Sequence, residues 1–149
     1  MQSALARALN SDILDSLVAS VIGPFYAQRR KFVEAALLES LPRDVYLPRD
    51  VSWRLHAEEG GMFFWVWVDE DWFDDLKLYE ALKNRGVFIV PGRYFFTGSE
   101  HSPNLGAHAR QCFRISVTPD TDTLTAGIEV IAETLADMRA GTRRMSDDR

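Results

Sequence analysis

The sequence predicts an α+β fold: a small, mostly antiparallel sheet of three or four strands with helices on one face, preceded by a long, kinked amino-terminal helix. Three apolar runs of β-forming residues predict the sheet, at 62–68, 87–90 and 112–117. Segments with apolar residues at helical spacing lie before, between and after them. With 149 residues, 46% of them hydrophobic, the chain is large enough to form one domain with its own core.

The first helix is predicted over residues 11–41. Asn10, Ser11 and Asp12 offer an N-cap, and the residues that follow are apolar at helical spacing. Pro24 removes a backbone donor, so it should kink or interrupt this helix. Pro42 ends the helix, and residues 42–50 are predicted to be a connector.

The predicted central strand is apolar on both faces. Residues 52–56 alternate as a short strand should, and we expect them to pair with the run at 62–68. One face of that run contains four residues: Met62, Phe64, Val66 and Val68. The other face contains three: Phe63, Trp65 and Trp67. Because such a strand needs cover on both sides, the aromatic face predicts a partner domain or subunit, unless the chain forms a self-sufficient layered core.

Gly86 is a suitable residue to end the helix predicted after this strand, because glycine enters the left-handed region without steric cost. A short buried strand then follows at 87–90. Residues 97–111 are polar and predict a loop longer than most connections in compact domains. The last helix is expected to open near residues 118–120. A polar, flexible tail is predicted at 139–149.

Composition excludes several classes of function. The net charge of -5 argues against binding to nucleic acid, which needs clustered basic residues. The single cysteine, Cys112, permits no internal disulfide, and the first residues lack the apolar core of a signal peptide, so we expect a cytoplasmic protein. The longest apolar run is far shorter than the roughly 20 residues needed to cross a bilayer, so no membrane is expected.

Arg114 is the most informative charged residue. The period of two along the last strand sends Phe113, Ile115 and Val117 to one face and Arg114 to the other, with Cys112 and Ser116. A guanidinium in the middle of a strand and opposite the core needs an anionic partner. Two partners are open at this point: a ligand, or an ordinary ion pair with an Asp or Glu on a neighbouring strand.

Other candidate sites are weaker. His101, His108 and Cys112 are residue types that bind zinc, but their spacing matches no closed pattern and a fourth ligand is missing, so no metal is predicted. A cysteine–histidine nucleophile would need an activated Cys112. In a β-run a cysteine is more often a small inert apolar residue.

The order and spacing of several segments resemble a known family. The segments are 24–30, Gly60–Trp65, Arg85–Gly92 with Tyr94-Phe95-Phe96, Cys112-Phe113-Arg114, and Gly127-Ile128-Glu129 in the final helix. Together they resemble the carboxyl-terminal small domain of fold-type-I (class I/II) aminotransferases, which depend on pyridoxal phosphate, and within them the valine–pyruvate aminotransferases. The resemblance covers about residues 14–135.

The resemblance implies that residues 1–149 form this small domain, with 11–41 as the helix that links it to a large domain. In the family a lysine of the large domain holds the cofactor, and an arginine of the small domain binds the α-carboxylate of the amino acid or 2-oxo acid; Arg114 takes that position here. Tyr94, His101 and His108 would lie at the active-site mouth. The complete enzyme would be a homodimer.

No catalytic residue is expected in this chain itself. Its lysines are Lys31, Lys77 and Lys83, all in predicted helices beside other charged residues, and no phosphate-binding loop opens a helix. We therefore expect the chain alone to be inactive and to bind no pyridoxal phosphate. The alternative function is a free-standing module that binds a small ligand or dimerises through its aromatic face.

Overall fold

The computed structural model of the chain describes residues 7, 9, 11–41, 53–56, 60–98 and 102–147, with residues 142–147 described by their backbone alone. The helices are α1 (Ile13–Leu17), α2 (Gly23–Ser40), α3 (Asp75–Asn84), α4 (Pro103–Arg110) and α5 (Thr121–Asp147). A π-helical turn at Val18–Ile22 joins α1 to α2, and a 3₁₀ turn occupies Gly92–Tyr94. The strands are β1 (Trp53–Leu55), β2 (Phe63–Val68), β3 (Val90–Pro91) and β4 (Cys112–Ser116).

The strands form one antiparallel sheet in the order β1-β2-β4-β3 within the described residues. Arg54 pairs with Trp67 between β1 and β2, and Trp65 pairs with Arg114 between β2 and β4. Helices α2, α3 and α5 cover one face of the sheet. The predicted α+β fold with an antiparallel sheet is therefore confirmed.

The core lies between the sheet and helices α2, α3 and α5. Phe64, Val66 and Phe113 are at most 3% exposed, and they face α-helical residues that are equally buried. The helical side of the core includes Val33, Leu37, Leu78, Leu82, Ile128 and Ile131. The faces predicted for the side chains of β2 and β4 are correct. The residues at 64, 66 and 68 and those at 113, 115 and 117 were expected to share one face of their strands, and all are buried.

The long amino-terminal helix is interrupted as predicted, and the interruption is a π-helical turn. Pro24 has no N–H to donate, and just before it the hydrogen-bonding pattern widens, so that the Gly23 N–H donates to the Val18 carbonyl. No side chain of α1 or of the π turn is buried. This end of the helix therefore extends beyond the core. The predicted connector at 42–50 lies outside the described residues.

Two helix ends form through specific caps. Gly86 has a φ of +78°, and its N–H donates to the Lys83 carbonyl while the Val87 N–H donates to the Leu82 carbonyl, which closes α3 as a Schellman motif. The last helix begins at Thr121, where the Asp120 carboxylate accepts the N–H of Thr123 at 2.9 Å. The cap predicted at Gly86 is confirmed.

Two predicted elements differ from the structure. Residues 103–110, within the predicted loop, form α4, which packs beside the aromatic face of β2. The strand predicted at 87–90 is reduced to Val90–Pro91, because only these residues pair with β4. The last helix extends to Asp147, and the flexibility expected of residues 139–149 stays a prediction.

The aromatic face of β2 is half covered by the chain itself. Phe63, Trp65 and Trp67 are neither fully buried nor fully exposed. Phe95 contacts Trp65 at 5.3 Å between ring centroids, and His108 of α4 contacts Trp67 at 4.9 Å. The cover that the sequence assigned to a partner thus comes in part from α4 and from the segment after the 3₁₀ turn. No helix among the described residues combines the length and apolar character required of a membrane span.

Candidate functional site

Arg114 lies in the middle of β4, on the face of the sheet opposite the core. It pairs with Trp65 on one side and with Val90 on the other, and its side chain is half-buried. Pairing on both sides fixes the backbone from which the guanidinium extends. The orientation predicted from the period of two is correct.

Two aromatic rings flank the Arg114 guanidinium. Its Cζ lies 4.0 Å from the centroid of Phe63 and 4.7 Å from the centroid of Phe95. The electron-rich faces of the rings attract the cation, and the rings also keep water away from it. Phe63 comes from β2 and Phe95 from the segment that follows the 3₁₀ turn. We call Phe63 and Phe95 the aromatic clamp.

No carboxylate pairs with Arg114 among the described residues. Its Nε is buried and donates to no acceptor, and its terminal nitrogens form no hydrogen bond within that part of the chain. A buried donor without an acceptor is costly, and the positive charge of this side chain makes it more so. The structural ion pair considered from the sequence is therefore not found there, and the guanidinium is available to an external anion.

The 3₁₀ turn, which directly precedes Phe95, is held against the sheet by a close backbone approach. At Gly92, a Cβ atom would lie 2.6 Å from the Ala109 carbonyl oxygen and 2.7 Å from the Cys112 Cβ. No side chain larger than hydrogen fits at these distances. Glycine at this position thus allows the 3₁₀ turn to pack directly on α4 and β4.

An ion-pair cluster holds the same turn on its other side. Arg93 donates from Nε to the Asp75 carboxylate at 2.7 Å and from Nη2 to the Asp74 carboxylate at 2.8 Å. The Arg93 backbone N–H also donates to Asp75, at 3.0 Å, and the Asp75 side chain has no exposure. The buried carboxylate therefore ties the 3₁₀ turn to the start of α3.

The pKa values of this cluster reflect its hydrogen bonds. The bond to Asp75 is the largest influence on Arg93 and raises its pKa, against the opposing effect of burial. For Asp74, burial is the largest single influence and raises the pKa, but hydrogen bonds from the Lys77 N–H and from Arg93, with others, lower it overall. Asp74 therefore stays ionised to lower pH than an ordinary aspartate.

His108 and Cys112 lie together beside the aromatic face. The His108 Nε2 is 3.6 Å from the Cys112 Sγ, and Phe96 packs edge-on to the His108 ring at 5.5 Å. Burial, followed by the proximity of His56, lowers the pKa of His108. Burial raises the pKa of the Cys112 thiol to about 11. The Cys112 thiol is therefore neutral and has no solvent exposure, so it is poorly suited to act as a nucleophile.

We expect Cys112 to resist alkylation in the folded chain. At pH 8 a thiol with a pKa of about 11 has about 100-fold less thiolate than one at the ordinary value of 9.0, and thiolate is the reactive form. Labelling by iodoacetamide should therefore be at least about 100-fold slower in the native chain than in urea, as followed by mass spectrometry. Equal rates in both conditions would contradict the buried, neutral thiol.

The structure describes Tyr94 but not His101 among the remaining predicted site residues. Tyr94 ends the 3₁₀ turn directly before Phe95, and its side chain is 67% exposed. His101 lies outside the described residues. Within the described part of the chain, no group of three or more His, Cys, Asp or Glu residues is arranged to hold a metal ion. The roles given to Tyr94, His101 and His108 at an active-site mouth stay predictions.

A separate cavity of about 490 Å³ lies between segment 85–89 and α5. Its lining is mainly apolar and includes Val87, Ile115 and Ile128. Arg85, on its boundary, donates to Thr134 and pairs with Glu133. Arg114 does not line this cavity, so the unpaired cation and the cavity are two distinct features.

Comparison with known proteins connects the fold and the sequence to one family. The valine–pyruvate aminotransferase of Escherichia coli (strain K12) is 34% identical to the chain over 117 residues, 78% of the chain and 26% of that relative. The crystal structure of a valine-pyruvate aminotransferase from Salmonella typhimurium LT2 matches with a TM-score of 0.76 and 31% identity, over 91% of this chain and 32% of that one. The chain is a homologue of the aminotransferases. The predicted resemblance to their carboxyl-terminal small domain is confirmed.

A second curated relative has a different name. The phosphatidylglycerol–prolipoprotein diacylglyceryl transferase of Synechococcus sp. (strain CC9902) is 30% identical over 102 residues, 68% of the chain and 34% of that relative. No family model matches the chain. The aminotransferase relationship rests on both sequence and structure, and it is therefore the one that we follow. The chain spans about a quarter to a third of the length of these relatives.

The aromatic clamp and the Arg93 cluster were not predicted from the sequence. Alternation along the strands predicted the face of the sheet on which Phe63 and Arg114 lie. It did not predict the register of β2 against β4, which brings these two residues together. Asp74 and Asp75 precede an apolar helical face, a position typical of N-caps, and Asp74 does accept the N–H groups of Leu76 and Lys77. Nothing in the spacing indicated that Asp75 would be buried against an arginine of the later turn.

Proposed function

We propose that this chain is the carboxyl-terminal small domain of a pyridoxal phosphate-dependent aminotransferase, and that Arg114 binds the α-carboxylate of its substrates. One observation carries the proposal: the guanidinium of Arg114 is held in the middle of a strand by two aromatic rings and pairs with no carboxylate among the described residues. An amino acid and a 2-oxo acid both supply the missing anion.

Arginine suits this role because of its geometry as well as its charge. A planar guanidinium donates two parallel hydrogen bonds to one carboxylate, which fixes the orientation of the substrate around that group. Orientation matters in transamination, since the bond broken at Cα has to be aligned with the cofactor. The aromatic surroundings of Arg114 lower the local polarity, and this strengthens the attraction to a carboxylate.

The cofactor itself does not fit the residues of this chain. Lys31, Lys77 and Lys83 are its only lysines, and all three are exposed on helices, whereas a lysine that forms a Schiff base lies in a desolvated pocket. We therefore assign pyridoxal phosphate, and the electron sink that it provides, to polypeptide beyond this chain. On this proposal the chain alone does not transaminate.

The exposed apolar side chains of the amino-terminal helix are evidence for a neighbouring domain. Ile13, Val18, Val21 and Phe25 are each between 46% and 71% exposed, and none of the side chains of residues 13–22 is buried. An apolar surface of this kind is stable in water only when something covers it. We propose that residues 11–41 link this domain to the large domain, which provides that cover. A homodimeric, cytoplasmic enzyme remains the prediction from the sequence.

Transfer of activity tests the proposal. In a chimera, this chain replaces the aligned region of the Escherichia coli valine–pyruvate aminotransferase, and transfer of the amino group from valine to pyruvate is measured with added pyridoxal phosphate. We expect the chimera to be active, and both the chain alone and the relative lacking that region to be inactive. A folded chimera that binds the cofactor but does not turn over would contradict the proposal, as would turnover by the chain alone.

The cavity between segment 85–89 and α5 favours a second candidate function, a free-standing module that binds a small apolar ligand. Its volume of about 490 Å³ is within the range of ligand-binding sites, and its lining is mainly apolar. The two candidate functions differ in whether they need Arg114. The aminotransferase role requires it to bind a carboxylate, whereas binding of an apolar ligand in this cavity does not. An inactive chimera together with retention of apolar ligands by the chain would favour the second candidate.

A further inference from the structure

We propose that Phe63 and Phe95 are positioning residues, which hold the Arg114 guanidinium so that only its two terminal nitrogens are available to a carboxylate. The identity of the ligand rests on the proposed function, but the clamp itself is a property of this chain. The inference concerns how the charge is presented, and it assigns a role to two aromatic residues that are not themselves ligands of the carboxylate.

Two distances and one buried atom carry the inference. Each ring lies within 5 Å of the Arg114 Cζ, at 4.0 Å for Phe63 and 4.7 Å for Phe95. The Nε of Arg114 is buried without an acceptor, whereas the terminal nitrogens are not. A carboxylate that approaches from outside therefore meets Nη1 and Nη2. It can bind end-on through two parallel hydrogen bonds, but not side-on through Nε.

The clamp also reduces the ordering that binding requires. A free arginine side chain has many rotamers and loses most of them when it forms a rigid bidentate pair. Two rings from different elements restrict Arg114 before any ligand arrives. Preorganisation of this kind raises affinity because less freedom is lost on binding. The clamp should therefore strengthen carboxylate binding without touching the carboxylate.

Phe95 is the better residue to change, since it is 46% exposed and its ring is held from outside the core. It packs edge-on against Trp65 at 5.3 Å, and the turn before it is anchored by Gly92 and Arg93. Truncation of Phe95 should leave that anchor intact. Phe88 offers a matched control, because it is 69% exposed and is not one of the two rings that flank the Arg114 guanidinium.

The first measurement needs no ligand. In the ¹⁵N-labelled 149-residue chain, we expect the Arg114 Nε–H to exchange slowly with solvent, because Nε is buried. Phe95→Leu should raise its exchange rate about 10-fold, which corresponds to loss of a partly desolvated cation–π contact. Phe95→Tyr should restore the slow rate, and Phe88→Leu should not change it. If Phe95→Leu does not fold, Phe63→Leu provides the same test.

The second measurement uses pyruvate as the probe, with pyruvamide, which lacks the carboxylate, as its matched control. Pyruvate should shift the Arg114 side-chain signals and pyruvamide should not. We expect Phe95→Leu to weaken pyruvate binding about 3- to 30-fold and Phe95→Tyr to restore it.

The outcomes separate this proposal from the proposed function. Unchanged exchange and unchanged pyruvate affinity in Phe95→Leu overturn the clamp, whatever the chimera does. A folded chimera that binds the cofactor but is inactive, together with the expected exchange rates, overturns the proposed function and leaves the clamp in place. If the Arg114 signals of the parent chain do not respond to pyruvate although the chimera is active, then this chain alone does not hold the Arg114 guanidinium ready for a carboxylate, and the inference is wrong.

Discussion

Replacement of Arg114 by lysine should lower kcat/KM of the chimeric aminotransferase for valine and pyruvate by about 100- to 1,000-fold. Lysine keeps the positive charge but loses the planar pair of donors, and its shorter contact surface does not fill the space between Phe63 and Phe95. The carboxylate would then be attracted but not oriented. Because the cofactor is assigned to other polypeptide, its content in the variant should equal that of the parent.

The measurement is steady-state kinetics with valine and pyruvate varied in turn, together with the absorbance of bound pyridoxal phosphate. Arg85→Lys is the matched control, since Arg85 pairs with Glu133 at the surface of α5 and lies apart from the Arg114 site. That variant should retain the parent kinetics. Parent-like kinetics in Arg114→Lys would remove Arg114 from the site, and loss of the cofactor would show that it acts on something other than the carboxylate.

The position of Arg114 could be predicted because it depends on a local rule. Alternation along β4 decides which residues share a face, and Phe113 and Ile115 are buried while Arg114 faces away. The end of α3 was predictable for a similar reason, since Gly86 satisfies a local requirement for positive φ. Each of these features is determined within a few residues, which is the range over which sequence patterns are informative.

Features that depend on distant residues were missed. Helix α4 has one buried residue, Ala109, so it lacks the apolar stripe by which a helix is recognised. The short β3 depends on Val90 and Pro91 meeting β4, and Pro91 has no N–H with which to continue a ladder. The aromatic clamp requires the register of β2 against β4 and the placement of the 3₁₀ turn. None of these is encoded in a short window of sequence.

Replacement of Arg93 by methionine should lower the free energy of unfolding by about 3–5 kcal/mol at neutral pH. Asp75 has no exposed side-chain surface, and two of its three hydrogen bonds come from the Arg93 side chain. Methionine fills similar space but donates nothing, so the buried carboxylate would be left with one backbone N–H. An uncompensated buried charge is among the most destabilising changes that a single substitution can make.

The double variant Arg93→Met with Asp75→Leu should recover most of this loss, because it removes the stranded charge together with its partner. Arg85→Met is the control: its carboxylate partner, Glu133, is 65% exposed, and loss of such a surface pair should cost about 1 kcal/mol or less. Urea unfolding of the 149-residue chain, followed by circular dichroism, measures all three variants. Equal losses in Arg93→Met and Arg85→Met would mean that burial of Asp75 does not determine the stability of the turn. The position of the aromatic clamp would then need another explanation, since Phe95 directly follows that turn.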